Sequence, residues 1–313
     1  MKLFKRQPRE DRKKLTGKQK LAKIWDDRVG YLMSAPYVIL FTIFTVLPVA
    51  VSMFFSFTDF NMLQWPNFVG LENYSRLLLH DEIFLIAVRN TVILAGITGP
   101  VGYLLCFFFA WCINEFSPKV RAFITLCFYA PSISGNAFLI FTLMFSSDSY
   151  GLVNAFLLKL GIIDSPILWF TNTQYMMPLC IVVILWTSLG TSFLAFIAGF
   201  QGVDRTYYEA AAVDGVRNRW QELWFVTLPL MRESLMFSAV MSITGAFGVG
   251  GVITGLCGFP STGYAVHTIM HHLEDYGGMR YEMGYASAIA TILFLVMIIT
   301  NKVIQKLLRK VGN

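Results

Sequence analysis

The chain has 313 residues, 56% of them hydrophobic and only 14% charged, with a mean hydropathy of +0.58. A soluble domain carries about 25% charge, so the composition excludes an ordinary soluble protein and points to a membrane protein. The net charge of +6 would suit nucleic-acid binding, but the placement of the charges argues against that partner.

Residues 1–30 form a basic N-terminal segment with eleven Lys and Arg. It resembles the start of a secretory signal, yet no small-residue cleavage site follows a short apolar core. The expectation is a retained first span with a lead-in held near anionic lipid. A solvated tail is equally compatible. Six apolar stretches follow, at 31–57, 84–113, 120–145, 176–200, 235–257 and 284–304. Each meets the roughly 20 residues needed to cross a bilayer. Backbone polar groups in lipid must be satisfied within their own segment, so the stretches read as helices. Pro48, Pro100 and Pro131 fall inside them and predict kinks.

Placing the N-terminus in the cytoplasm puts 21 of the 25 Lys and Arg on the inner side. Only Arg76, Lys159 and Arg280 fall outside, with Arg89 near a boundary. By the positive-inside rule both termini are cytoplasmic. The expected organisation is an all-α, multi-pass membrane protein: six transmembrane helices over 31–304, then a basic cytoplasmic tail at 305–313.

Cys106, Cys112, Cys127, Cys180 and Cys257 lie in or at the ends of spans. Their number is odd and none shows metal-ligand spacing, so they read as small apolar residues, with neither a disulfide framework nor a metal site. The middle of every predicted span lacks a carboxylate, and His80, His267, His271 and His272 fall in external loops, so an internal proton relay finds no support. No Walker A sequence is present to cradle ATP phosphates. Energy for active transport must therefore enter through a partner, and the chain itself needs no cofactor.

The largest cytoplasmic loop between spans, 201–232, is where such a partner would act. Asp204 is placed as an N-cap, Ala210, Ala211 and Ala212 favour helix, and Gly215 can end it. A second helix is expected over 218–227, with Trp220, Leu223, Trp224 and Thr227 on one face and Pro229 as its stop. The pattern alone suits equally a docking knob, whose alanines let another backbone approach, and an ordinary amphipathic linker.

Glu209-Ala210-Ala211, three residues, Gly215, then Leu228-Pro229 resembles the EAA loop of ABC-type importer permeases. That resemblance implies a type I ABC importer permease fold, with a coupling loop at 204–229 gripped by a cytoplasmic ATPase. By position, Glu209 would pair with a basic group on the ATPase. Ala210 and Ala211 would pack close, and Asp214-Gly215 and Leu228-Pro229 would complete the loop. Leu228-Pro229 falls one residue late against the usual pattern, and Val203-Asp204 stands where Ile-Pro is common. The likeness extends over 35–307. Gly151-Leu152-Val153-Asn154-Ala155-Phe156-Leu157, Trp186, Ala198-Gly199-Phe200-Gln201 and Gly284-Tyr285-Ala286-Ser287-Ala288 resemble carbohydrate-type permeases, similar to the larger subunit of maltose-type and glycerol-phosphate-type importers.

That family implies a second, homologous permease in a heterodimer and two cytoplasmic ABC ATPases holding ATP and magnesium. It also implies an extracellular or periplasmic solute-binding protein, a carbohydrate substrate and a bacterial plasma membrane. Matched by position, the substrate path would include Trp186, Thr187, Ser188 and Thr191 before the loop, and Ser242, Gly245 and Ala246 after it. Hydroxyls suit a polyol. Gly245, Gly248, Gly250 and Gly251 either widen a cavity or let helices pack closely. Tyr129, Ser132, Ser134 and Asn136 around Pro131 could line a path or tie helices together.

Three rivals remain in view. An intramembrane serine protease would need a histidine beside Ser134, and the sequence offers no such arrangement. A passive channel gives the loop nothing to couple. An ABC permease for a non-sugar solute would use the same loop. Segment 259–281, with Glu274-Asp275, is either a receptor-docking surface or a generic solvated loop.

Overall fold

The computed structural model describes residues 28–308. Most of the basic segment 1–30 and the end of the tail 305–313 lie outside the described residues. The chain divides into two compact units, Met1–Ser52 and Met53–Asn313.

The described elements are helical. They are α1 (Arg28–Phe41), α2 (Leu47–Phe55), α3 (Glu72–Ser75), α4 (Glu82–Asn114), α5 (Pro118–Ile133), α6 (Leu139–Met144), α7 (Leu152–Lys159) and α8 (Thr173–Thr187). Then come α9 (Thr191–Gln201), α10 (Arg205–Val213), α11 (Arg219–Glu222), α12 (Leu228–Leu230), α13 (Arg232–Phe247), α14 (Gly250–Cys257), α15 (Ile269–Glu274) and α16 (Met283–Leu308). Among the described residues, four helical stretches are long and apolar enough to cross a membrane: Arg28–Phe55, Glu82–Asn114, Arg232–Cys257 and Met283–Leu308. α8 and α9, bent by 40° at their junction, make a fifth if counted as one span.

Proline acts differently at its three expected kinks. α4 continues through Pro100 for 33 residues. Pro48 is the second residue of α2 and follows a π-turn at Thr42–Val46, where the Leu47 amide bonds the Thr42 carbonyl. Only Pro131 coincides with a break. α5 ends two residues later, Gly135 adopts a φ of +66°, and α6 resumes at Leu139, so the third predicted stretch is two helices.

The α8–α9 break is written in Thr187-Ser188-Leu189-Gly190. The Thr187 and Ser188 hydroxyls donate to the Ile184 and Leu185 carbonyls at 3.0 and 2.7 Å, satisfying the last turn of α8 from its own side chains. Gly190, at φ −112° and ψ −129°, then starts α9.

In the Met53–Asn313 unit, α4 packs against α9 and α13, and α13 also packs against α16. Phe193, Phe196, Phe200, Cys106 and Leu235 fill one core, and Cys180, Val183, Ile253 and Phe138 a second. A third gathers Phe84, Ile243, Tyr276, Tyr285 and Ile289. The polar residues among these are tied across elements. Ser192 and Ser238 exchange hydroxyl-to-carbonyl bonds at 3.2 and 3.1 Å, a reciprocal clamp of α9 on α13.

Segment 259–281 departs most from expectation. It is not wholly solvated: Glu274 and Arg280 are exposed, but much of the rest is packed inward. His267, Thr268, Ile269, His271 and His272 are buried, because the segment folds back onto α4. The Asn90 amide donates to the Tyr264 and His267 carbonyls, both at 3.0 Å, and the Ile269 amide donates to the Thr91 hydroxyl at 2.9 Å. His272 Nε2 lies 3.0 Å from Asp81 Oδ2, which also accepts the Tyr285 hydroxyl at 2.7 Å. Burial raises the Asp81 pKa, but the Phe84 amide, Tyr285 and His272 outweigh it and hold the carboxyl below its ordinary range. His267, His271 and His272 are therefore part of the packing, whereas His80 is exposed.

Candidate functional site: a two-armed knob joined to a hydroxyl-lined cavity

The knob forms as its capping residues dictate. Asp204 accepts the Thr206 amide at 3.0 Å and starts α10, and that amide keeps the Asp204 carboxyl below its usual range. Gly215 takes a φ of +96°, which lets the Val216 amide return to the Ala211 carbonyl at 3.0 Å and closes the helix. Asn218 caps α11 by accepting the Gln221 amide at 2.9 Å. Glu209 and Ala210 are exposed and Ala211 half-buried, while Asp214 forms the exposed C-cap of α10.

The second helix differs from its expected form. α11 passes into a π-turn at Leu223–Thr227 and then α12, so the helical path runs through Pro229 and breaks at Met231 (φ −91°, ψ 17°). The wide turn adds a residue per turn and shifts the face. Leu223, Val226 and Thr227 are buried, whereas Trp220 and Trp224 are about two-thirds exposed. Leu228 and Pro229 sit half-buried in α12, one turn from α13.

Three contacts hold the knob. The Tyr208 and Thr227 hydroxyls meet at 2.9 Å and join its two arms. Trp220 lies 4.9 Å from Trp111 on α4. Arg219 pairs with Glu222 at 2.8 Å and Glu115 at 2.9 Å, and these carboxylates raise its pKa. Exposed pairs of this kind contribute ~1 kcal/mol or less, so they orient the knob more than they stabilise it. Beside it opens a groove of ≈ 1040 Å³, walled by Glu209, Arg205, Arg121, Arg219, Glu115 and Tyr208 among others.

A second cavity, ≈ 450 Å³, sits at the α8–α9 break. Thr187, Ser188, Thr191, Ser242, Gly245 and Ala246 all line it. Trp186 does not; its ring packs edge-on against Phe141 at 5.1 Å. Sequence reasoning missed Thr98 and Gly102 on α4, Ser192 on α9 and Thr244 on α13, which line it too, while Gly248, one of the glycines weighed as cavity-widening, also lines it. Only the fold marks Gly102: a Cβ there would stand 3.1 Å from the Ser188 hydroxyl oxygen. From the segment around Pro131, Ser132 reaches the cavity, but Tyr129, Ser134 and Asn136 do not line it.

The glycines resolve individually. A Cβ on Gly250 would press on Met270 at 3.0 Å, as close packing requires. At Gly245 and Gly251 a Cβ would meet nothing within 4 Å, so within this chain Gly245 leaves space and seats no neighbouring helix. The cavity holds no carboxylate, histidine or cysteine in its wall, and among the described residues no group of three or more potential ligands could hold a metal ion. Its chemistry is hydrogen bonding.

Residues 102–311 match the family described as "Binding-protein-dependent transport system inner membrane component". The chain belongs to this family. It is 32% identical over 280 residues to a probable ABC transporter permease, YesP, of Bacillus subtilis (strain 168), covering 87% of each chain. The arabinooligosaccharides transport system permease protein AraP of the same organism is 31% identical over 283 residues (88% and 87% of the two chains). The lactose transport system permease protein LacF of Rhizobium radiobacter is 33% identical over 235 residues (74% and 76%). A chain of a bacterial ABC transporter that imports the acidic polysaccharide alginate superposes with a TM-score of 0.74 at 24% identity, covering 94% of this chain and 99% of the other, which identifies the fold as that of a type I ABC permease. The chain is thus a multi-pass, non-catalytic ABC importer permease, and ATP hydrolysis belongs to a separate ATPase.

Proposed function

We propose that this permease carries a sugar or oligosaccharide across a bacterial plasma membrane, taking it from an extracellular or periplasmic solute-binding protein. It would work as a heterodimer with a second, homologous permease, above two ATPases that hold ATP and magnesium. The chain crosses six times, with α5–α6 as one broken span and α8–α9 as one bent span, and the excess of Lys and Arg on one side keeps both termini cytoplasmic.

One observation carries the reading: the knob runs straight into the helix that walls the cavity. α12 leads through Met231 directly into α13, whose Ser242, Gly245 and Ala246 form one cavity wall. Closure of the ATPases on Glu209, Ala210, Ala211 and the turn at Asp214-Gly215 would displace Leu228-Pro229 and so α13. The Ser192–Ser238 clamp would carry α9 along, moving Thr191 with Ser242. The break at Ser188–Gly190 lets α9 move independently of α8. Hydroxyls that gain and lose a common position suit a ligand held by several hydrogen bonds, which a glycan offers. Thirty-two-per-cent identity to an ABC permease, and two similar relatives named for lactose and arabinooligosaccharides, support the substrate class.

Ser188→Leu tests it. The side chain would fill the α4–α8 side of the cavity without touching the knob, so uptake of the receptor-delivered sugar should cease while the complex still assembles with its ATPases. Normal uptake by that variant would remove this cavity from the path.

A further inference from the structure

Cys180 on α8 and Cys257 at the end of α14 bring their sulfurs to 3.6 Å. This is van der Waals contact, with each sulfur the other's nearest thiol partner in a core that also holds Val183, Leu256 and Ile253. Cys106, Cys112 and Cys127 belong to other parts of the molecule and show no such pairing. A bond needs about 2.05 Å between sulfurs, so a side-chain adjustment of roughly 1.5 Å closes the gap. Cys257 is half-buried and Cys180 fully buried, so Cys257 is the more accessible residue of the two. Cys257 adjoins segment 259–281, which the charge asymmetry places on the outer side, where disulfides persist.

We propose that Cys180 and Cys257 form a redox-closable pair that locks α8 to α14 when oxidised. Hydrogen peroxide or an organic hydroperoxide is the oxidant. The Cys257 thiolate attacks the peroxide, an S–O bond forms as O–O breaks, and water or an alcohol leaves with the proton, giving a sulfenic acid. Cys180 then attacks that sulfur; S–S forms, S–O breaks and water leaves. Two thiols are oxidised by two electrons and one peroxide is reduced.

The consequence follows from position and rests on the function proposed above. Cys180 lies one turn before Ile184, and α14, which follows α13 in the chain, carries Val252; Ile184 and Val252 both line the cavity. A covalent link there fixes a separation that must change if the cavity alternates, so the oxidised transporter stalls and reduction releases it.

The assembled transporter in vesicles is treated with hydrogen peroxide, then denatured and alkylated, and its peptides are mapped by mass. The expected result is loss of alkylation at Cys180 and Cys257 together, with a linked peptide two hydrogens lighter, while Cys106, Cys112 and Cys127 remain alkylated. Sugar uptake should be lost with the same dose dependence and restored by dithiothreitol. Cys257→Ala should leave Cys180 alkylatable and uptake peroxide-resistant. Both cysteines remaining alkylatable would overturn the pair, and a formed disulfide with undiminished uptake would overturn the lock. Reduced wild-type transporter that moves no sugar would instead refute the proposed function, and the disulfide shown by peptide mass would stand regardless.

Discussion

Replacing His267 by Phe isolates the electrostatic cost of the buried histidine cluster. The ring is 3% exposed, and neither nitrogen has a hydrogen-bond partner. It packs among Tyr264, His271, His272 and Phe259, with ring centroids 5.2 to 6.2 Å away. Burial, and then the neighbouring His271 and His272, push its pKa from 6.5 to about 4, although Asp275 and Asp81 pull the other way. The folded ring thus refuses a proton that the unfolded ring accepts. Above pH 6.5 both are neutral and nothing is lost. As pH falls from 6.5 towards 4, the unfolded chain gains protons first and stability drops by at most ~1.4 kcal/mol per pH unit, or ~3 kcal/mol over the window. His271 and His272 are shifted in the same direction by burial and add to the slope. Phe preserves the aromatic contacts, removes two unpaired polar atoms and cannot titrate. Its variant should match or exceed the wild type at pH 7.5, by up to ~1–3 kcal/mol, and should lose less on acidification. Apparent unfolding midpoints of the purified protein at pH 7.5, 6.0, 5.0 and 4.5 decide this. Parallel pH profiles for the two proteins would refute the account of His267.

Other substitutions separate coupling, cavity and fold. Glu209→Lys reverses the charge on the exposed face of α10 and should release the ATPases or uncouple ATP hydrolysis from uptake, seen by co-purification and by the ratio of hydrolysis to transport. Gly245→Leu meets open space, so it should fold with an unchanged melting profile yet reduce uptake by narrowing the cavity; a loss of folding would show that the space is filled. Gly284→Ala would drive a methyl into the Thr58 carbonyl oxygen, which is backbone and cannot swing away. It should lower stability by ~1–3 kcal/mol, read as a drop in unfolding midpoint. Asp204→Ala removes the α10 cap and should cost ~1 kcal/mol of local helix stability, detected as faster amide exchange over 205–213.

The sequence alone determined the membrane character, the helical class and the capped helix at 204–215, for a shared reason: each is carried by local rules. Long apolar runs, Asp204 as an N-cap and Gly215 at positive φ depend on neighbours in the chain, and the capping bonds form where the residues stand. Ser188 and Ser242 could be named only by resemblance, since nothing local links positions 54 residues apart. Tertiary structure decided the rest. It folded His267, His271 and His272 inward, because Asn90 and Thr91 on a distant helix satisfy the backbone of their segment. It set Trp220 and Trp224 outside, because a π-turn changes the helical register that a 3.6-residue pattern assumes. It also brought Cys180 against Cys257, for contact across 77 residues of sequence depends on how two helices dock and not on what either one encodes.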